Sequence, residues 1–287
     1  MPSRSLTLAA IGTIVAAAVA VGMIVLNPGR QMQEIQFDLG RNIVETARTS
    51  GVPSFTTRNV DGLISYSVNG IPATIPARYT RSGFELTWQP LFAFTMYADE
   101  HRSTGREVET VNLQLGRRFD SHAKAQAFVE QTIAQFSKGK WQRYYDPTWD
   151  ALLTGRSSFL DQDGHILSLA TTIDPAWHIA PEDWRSLVNT GASWRWVGDG
   201  VLAVLSVTGN ERAGSNAPDY EIGLSFDLLD VKLKRDAANE AEQIRKGDAK
   251  GWNSTADYEK NRRERLAMLK VLEANAIKRG DSVLVPH

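Results

Sequence analysis

An uninterrupted apolar stretch near the amino terminus is the sequence feature that most constrains this chain. Residues Leu6–Leu26, LTLAAIGTIVAAAVAVGMIVL, form a run of twenty-one residues without a charged side chain. At about 1.5 Å per residue, a helix of this length crosses a hydrocarbon core of about 30 Å. Asn27-Pro28-Gly29 follows as a natural helix stop. The sequence therefore predicts one transmembrane helix over residues 6–26.

The charges around this stretch predict its orientation. Arg4 and the terminal amine precede it, which by the positive-inside rule places residues 1–5 in the cytoplasm. The chain is then a single-pass protein of a bacterial inner membrane, with its bulk in the periplasm. Ala18-Val19-Ala20 also fits the A-x-A site of a signal peptidase, so cleavage near Ala20 is an alternative. We expect an uncleaved anchor, because apolar residues continue six positions beyond that site.

Composition excludes several classes of protein. The chain has no cysteine, which excludes disulfides, thiolate metal sites and lipid-modified cysteines. From residue 31 onward it has 30 basic and 33 acidic side chains, because Arg4 and Arg30 are the only basic residues before that point. This balance argues against nucleic acid as a partner.

The chain beyond the anchor predicts an α+β fold. We expect a stalk over residues 27–58, with a short helix that carries Ile35, Leu39 and Val44 on one side. Residues 59–287 are expected to form a periplasmic domain of antiparallel β-hairpins with packed helices. Asn69-Gly70 and Asp199-Gly200 suit two-residue hairpin turns.

Three helices are predicted after the first hairpin. Their boundaries are set by capping residues and by apolar positions that recur every three or four residues. One begins after Asp120-Ser121 and ends at Gly139, the second begins near Pro181 and ends at Gly191, and the third covers about Ser254 to Arg279. The order of elements also fits two similar β-β-α halves, residues 59–150 and 151–287, as an alternative organisation.

Candidate catalytic and metal-binding residues cluster between Ser157 and His165. Asp161-x-Asp163-Gly164 matches part of an EF-hand loop, but Phe159 and Ala170 occupy the positions that need carboxylates. Ser157, Ser158, Asp161 and His165 have the residue types of a nucleophilic triad without a G-x-S-x-G elbow. We therefore predict no metal, no cofactor and no enzymatic activity.

Aromatic and arginine side chains point instead to binding of a protein. Trp, Tyr and Arg are enriched at interface hot spots, because they combine a large contact area with directional polar groups. The segment around Asp146-Pro147 reads as a loop in which such side chains are exposed. We predict a partner-binding surface there, formed by Arg143, Tyr144, Tyr145, Trp149 and Arg156. We expect Trp184 and one of Trp194 and Trp196 to be in the core. The last two project to one face of a strand, so they should share the same environment.

Four segments in the middle of the chain are similar to those of a loose group of bacterial proteins. The segments are AFVEQTIAQFSKGKW (127–141), GRSSFLDQDG (155–164), DPAWHIAPEDW (174–184) and WVGDGVLAVLSV (196–207). The chain thus resembles membrane-anchored periplasmic immunity and accessory proteins encoded with type VI secretion effectors. The resemblance implies binding of a secreted toxin or effector and implies no particular catalytic residue.

The sequence and the resemblance suggest two possible functions for this chain. The first is a membrane-tethered binding protein that occludes or accompanies a toxin, since confinement to the membrane raises its local concentration. The alternative is a structural subunit of an envelope or secretion complex, whose span packs through Gly12, Ala16 and Ala20.

Overall fold

The computed structural model describes residues 19–26, 31–102, 104–116, 118–146, 148–166, 172–210 and 218–285. Within these ranges the fold is α+β, as predicted, with a large antiparallel sheet, a small mixed sheet and five α-helices. All elements and contacts of the fold given below lie within these ranges.

Nine strands form the large sheet. They are β1 (Val19–Val25), β3 (Ser54–Val60), β4 (Leu63–Asn69), β7 (Ala93–Asp99), β8 (Thr110–Gln114), β9 (Gln142–Arg143), β10 (Ala192–Gly198), β11 (Val201–Asn210) and β12 (Asp219–Leu228). Their order across the sheet is β1-β3-β4-β7-β8-β12-β11-β10-β9, and every neighbouring pair is antiparallel. The edges of the sheet are therefore β1 and β9.

Three short strands and the helices complete the fold. The small sheet has the order β2 (Ile35–Phe37), β5 (Ala77–Tyr79), β6 (Leu86–Trp88), with β2 and β5 parallel. The helices are α1 (Ile43–Thr49), α2 (His122–Phe136), α3 (Pro181–Thr190), α4 (Leu229–Ala249) and α5 (Ser254–Lys278), and a 3-10 helix covers Gly155–Phe159.

The main core lies on one face of the large sheet. Successive strand residues alternate between the two faces, and the apolar ones share the buried side. The Phe37 ring of β2 lies 5.6 Å from Phe94 of β7 and 5.4 Å from Phe226 of β12. Phe136 of α2 stacks on Trp196 of β10 at 3.9 Å. The small sheet and α2 therefore cover this face.

The opposite face of the sheet is polar at its centre. The register aligns Ser67, Thr95, Asn112 and Ser225 in one row across four strands. The Thr95 hydroxyl donates to the Ser67 hydroxyl at 3.1 Å. A one-sided antiparallel sheet of this kind explains the alternating sequence of its strands.

The amino-terminal apolar stretch differs from its prediction where the structure describes it. Residues 1–18, most of the predicted transmembrane helix, lie outside the described residues. Its last part is not a helix but strand β1, which pairs with β3 over seven positions. Valine and isoleucine, which are frequent in this part, favour strands over helices. Of the helices in the described ranges, none is both long and apolar enough to cross a membrane.

The segment predicted as a stalk contributes to the core. Ile35 and Phe37 lie in β2 and are buried, and the short helix begins later than expected, at Ile43. It ends at Thr49, with Ser50 as its C-cap, close to the predicted position. The apolar residues of this segment lie first in a strand, where they alternate, and then in a helix. A prediction of one helix for the whole segment was therefore wrong.

The first hairpin turn lies eight residues before the predicted one. Strands β3 and β4 are joined by Asp61-Gly62, both with positive φ, and Val60 pairs with Leu63. Asn69-Gly70 instead ends β4, which pairs with β3 and β7. The residues after Gly70 include Pro72 and Pro76, which have no backbone N–H to donate to a neighbouring strand.

Most other predicted elements are confirmed. Asp199-Gly200 turns the hairpin between β10 and β11. Helix α2 begins after Ser121, whose hydroxyl accepts the N–H of Lys124 at 3.2 Å. Helices α3 and α5 cover the expected residues. The two proposed halves meet in one continuous sheet, where β8 pairs with β12 and β9 pairs with β10, and their similarity stays a prediction.

Helices α4 and α5 form a long hairpin with little buried surface. In α4 only Gly247 is buried, and a Cβ there would lie 1.9 Å from the Ser254 hydroxyl oxygen, so glycine allows the helices to approach closely. The connecting residues expose Trp252, with Lys250 Nζ 5.0 Å from its ring centroid. Helix α5 buries Leu269, Leu272 and Ala276 in a second, smaller core.

Candidate partner-binding groove

Strand β9 brings the tyrosine-rich segment to the edge of the large sheet. Gln142 and Arg143 pair with Val197 and Trp196 of β10. The N–H of Tyr144 donates to the Arg195 carbonyl at 2.9 Å and extends this pairing by one residue. Side chains opposite each other in an antiparallel pair share a face. Tyr144 therefore lies on the outer face of the sheet, beside Arg195.

The end of the chain returns to the same edge. Leu153 forms an isolated antiparallel bridge with Val283. The Thr154 N–H donates to the Ser282 carbonyl at 2.9 Å. Helix α5 positions this C-terminal tail, residues 280–285, because Leu269 and Leu272 pack in the small core with Leu153.

A groove of about 530 Å³ separates β9 from the C-terminal tail. We call it the β9 groove. It combines two partly buried tyrosines with four aliphatic side chains, two of them at the exposed end of the chain. Its lining residues are Gln142, Arg143, Tyr144, Tyr145, Leu152, Val197, Leu284 and Val285.

Arg143 holds backbone segments together at the β9 groove through its guanidinium group. Its Nη1 donates to the Leu153 carbonyl at 2.7 Å and its Nη2 to the Thr172 carbonyl. Its buried Nε has no hydrogen-bond partner among the described residues. Burial lowers the pKa of the Arg143 guanidinium to about 10, against the opposing influence of Asp174 and Asp150. The group is therefore still positively charged at neutral pH.

An ion pair between the buried Asp150 and the partly exposed Arg195 holds the loop that follows the tyrosines. Asp150 lies 2.9 Å from Arg195 and accepts the Asp146 N–H at 2.9 Å. Burial raises the pKa of the Asp150 carboxyl, although the Asp146 hydrogen bond and Arg195 act in the opposite direction. The Trp149 carbonyl accepts two N–H groups of Arg265 in α5. The loop between β9 and the 3-10 helix is thus tied to both the sheet and α5.

The structure separates the five predicted binding residues into two groups. Arg143, Tyr144 and Tyr145 line the β9 groove, whereas Trp149 and Arg156 do not. The Trp149 side chain is partly exposed, and Arg156 makes a two-point ion pair with Asp183 of α3, at 2.7 and 2.9 Å. Arg156 therefore links the 3-10 helix to α3.

The tryptophans divide as their positions predicted. Trp184, Trp194 and Trp196 are all buried, and the last two share one face of β10. The exposed tryptophans of the described chain are Trp149, Trp177 and Trp252. They lie in separate loops, so no single aromatic surface unites them.

Ser158 of the 3-10 helix is part of a buried polar network, whereas the buried Ser157 hydroxyl has no hydrogen-bond partner among the described residues. Ser158 donates to the Gly155 carbonyl at 2.7 Å and accepts the Asp174 N–H at 2.9 Å. His165 is exposed, and its Nδ1 lies 3.4 Å from Asp161. Both serines are buried, whereas the His165 side chain is 79% exposed. The residue types of a triad are thus present here in two different environments.

Asp161, Asp163 and His165 do come together in space. One ligand atom from each lies within 4.8 Å of the others. The Asp161 carboxylate already accepts the N–H groups of Asp163 and His165 at 2.9 and 2.8 Å. These bonds build the turn at Gly164, which explains the residue pattern without a bound cation.

Sequence reasoning did not find the tail residues of the groove. Leu284 and Val285 are ordinary aliphatic residues near the end of the chain, and Leu152 and Val197 are ordinary strand and loop residues. Only the pairing of residues 153 and 283, 130 positions apart in the sequence, brings the tail to β9. A local pattern contains no signal for that contact.

Comparison with known proteins found no match, whether among family models, curated proteins or solved structures. The resemblance to immunity and accessory proteins therefore depends on the four sequence segments given above.

Proposed function

We propose that this protein is an extracytoplasmic binding protein that holds a segment of a protein partner in the β9 groove. The partner class is a secreted toxin or effector, which the protein neutralises or accompanies. The observation that carries the proposal is that Tyr144 and Tyr145 line the same groove as the exposed aliphatic residues Leu284 and Val285.

The groove has the chemistry of a protein-binding site. Tyrosines combine a large apolar ring with a hydroxyl group and lose little conformational entropy on binding. Val285 is 79% exposed and Leu284 is 44% exposed. Complete burial of such a side chain contributes about 1.5–3 kcal/mol, so a partner that covers both gains substantial affinity.

The dimensions fit a peptide segment with more than one side chain. The volume of about 530 Å³ lies within the range of about 300–1,000 Å³ that is common for ligand sites. The groove also lies along an edge of the large sheet, where an extended segment of another chain can bind beside β9. Apolar side chains of that segment would contact Leu152 and Val197, and its polar groups would face the tyrosine hydroxyls.

The type of partner comes from the sequence. Immunity and accessory proteins, which the chain resembles, act by occupying a surface of their toxin. This role needs a stable scaffold with an exposed recognition site, and the β9 groove supplies such a site on a large sheet.

The proposal is tested by binding to the protein encoded by the neighbouring gene. We expect the two proteins to co-purify. Tyr144→Ala and Tyr145→Ala should each weaken binding by about 2 kcal/mol, which is about 30-fold in Kd. Tyr258→Ala is the matched control, because this tyrosine lies on α5 and contacts Glu240. Unchanged Kd values for both folded groove variants would exclude the groove as the binding site.

The alternative of a structural subunit is favoured by a different observation. The α4–α5 hairpin has little buried surface, and its tip exposes 63% of Trp252. A hairpin of this form suits insertion between other subunits of an envelope complex. In that case Trp252→Ala would abolish assembly, measured by co-sedimentation with envelope complexes, and the groove variants would assemble normally.

A further inference from the structure

Strand β1 places part of the amino-terminal apolar stretch inside the folded domain. Residues Val19–Val25 pair with Ser54–Val60, with Met23 opposite Thr56. The Leu26 N–H donates to the Pro53 carbonyl at 2.9 Å. Ile24 and Leu26 also pack against the main core. These residues cannot form the end of a membrane-spanning helix while they occupy the sheet.

The apolar residues that remain before β1 are too few to span a bilayer as a helix. Leu6–Ala18 comprises thirteen residues. As a helix they would extend about 20 Å, compared with about 30 Å for a hydrocarbon core. Thirteen residues instead match the apolar region of a secretory signal peptide, which is about 7–15 residues long and follows a positively charged start. Arg4 provides that charge.

The junction between this segment and β1 contains two overlapping cleavage motifs. Ala16-Ala17-Ala18 and Ala18-Val19-Ala20 both fit the A-x-A pattern of signal peptidase. A cut after Ala18 leaves the whole of β1, and a cut after Ala20 leaves Val21–Val25 paired with β3. Both cuts keep Ile24 and Leu26 on the core.

We propose that signal peptidase cleaves this chain after Ala18 or Ala20 and that β1 is the first strand of the mature protein. The reaction is hydrolysis of one peptide bond. Water adds at the carbonyl carbon of the alanine, so the leader acquires a carboxylate and Val19 or Val21 acquires a free α-amine. The mature protein is then released from the membrane. This inference does not depend on the function of the β9 groove.

The position of β1 at the edge of the sheet is compatible with this processing. Its pairing partner on one side is β3, and it ends the strand order of the nine-stranded sheet. The outward side chains of Val21 and Met23 are 63% and 72% exposed. A new amino terminus at Val19 or Val21 therefore lies at the surface, where its charge is solvated and buries no polar group.

Ala18 provides a sharp test, because it belongs to both motifs. The full chain is expressed in a Gram-negative bacterium, and the product is analysed by intact mass and amino-terminal sequencing. We expect the wild type to begin at Val19 or Val21. Ala18→Tyr should block both cuts, so that its product keeps the mass of the full-length chain. The matched control Ala17→Tyr changes the free middle position of one motif and should still be cleaved.

Three results would overturn the proposal. The first is a wild-type chain that keeps its original amino terminus and stays in the membrane. The second is a cut beyond Val25, which would remove β1. The third is identical processing of the Ala18→Tyr and Ala17→Tyr variants. Sequencing of the wild-type terminus needs no variant to fold, so a folding defect in Ala18→Tyr leaves the first two tests intact.

Discussion

The backbone N–H of Leu284 donates to the carbonyl oxygen of Leu152 at 2.8 Å. With the Leu153–Val283 bridge, this bond fastens the end of the chain beside the loop that follows β9. One wall of the β9 groove is therefore made by Leu284 and Val285 of the C-terminal tail. This wall depends on the packing of α5, because α5 places the tail.

Removal of the last four residues should separate binding from stability. A chain that ends at Val283 keeps the Leu153–Val283 bridge and loses both aliphatic side chains of the wall. We expect its free energy of unfolding to fall by about 1 kcal/mol, since one hydrogen bond, the partly exposed Leu284 side chain and the exposed Val285 side chain are lost. Partner binding should weaken by at least tenfold, measured by calorimetry. A chain that ends at Val285 is the control and should bind as the full chain does.

Replacement of Arg156 should affect stability and leave binding unchanged. Arg156→Ala removes the two-point ion pair with Asp183, whose carboxylate is mostly buried. Pairs at such a half-exposed site contribute about 1 kcal/mol or less. Denaturant unfolding should show a loss of this size, whereas the exposed Arg185→Ala should show almost none. A large loss of partner affinity in Arg156→Ala would show that Arg156 belongs to the binding surface after all.

Two tryptophan variants should differ strongly in stability. Trp196 is buried and stacks on Phe136, so Trp196→Ala should cost about 3–5 kcal/mol. Trp149 is 36% exposed and lies outside the β9 groove, and Trp149→Ala should cost less than about 2 kcal/mol. Melting temperatures of the two variants measure the difference. Equal losses would show that Trp149 is a core residue.

The buried Asp150 carboxyl should make stability depend on pH. Burial is the main reason that its folded-state pKa lies above the usual value. In the unfolded chain an Asp loses its proton near pH 3.9, so just above this pH the folded state binds more protons. The free energy of unfolding contributed by Asp150 therefore falls as pH rises from about 4 toward the folded pKa. The free energy of unfolding of the wild type, measured relative to that of Asp150→Asn, should thus be highest near pH 4 and lower at pH 7. Urea midpoints across this range test the sign, and an advantage that grows with pH would contradict it.

Local patterns predicted much of the secondary structure. Helix α2 has a capping serine and recurring apolar residues, and the β10–β11 hairpin has an Asp-Gly turn between two long strands. In both cases the residues that determine the element are neighbours in the sequence. The predicted position of the first hairpin turn was wrong because Asp61-Gly62 and Asn69-Gly70 both suit such a turn. The pairing of β4 with β7 decides between the two positions.

The sequence predicted the tyrosine side of the β9 groove and did not predict its aliphatic side. Tyr144 and Tyr145 were recognised from residue type, because aromatic side chains in a loop suggest a contact surface. The aliphatic wall depends on the packing of α5 and on a bridge between residues distant in sequence. The prediction of a transmembrane helix has a related cause. The hydropathy of Val19–Val25 fits a lipid-facing helix and strand β1 equally well, and only the pairing with β3 distinguishes them.

The placement of β1 and β9 at opposite edges sets the distance between the two ends of the described chain. Nine strands have eight spacings of about 4.8 Å, so the edges lie about 38 Å apart. A fluorescent label or affinity tag attached ahead of β1 would therefore stay clear of the β9 groove. The same tag after Val285 would obstruct its mouth. Biosensors and pull-down reagents made from this protein should for that reason be immobilised through the β1 edge, with the tail left free.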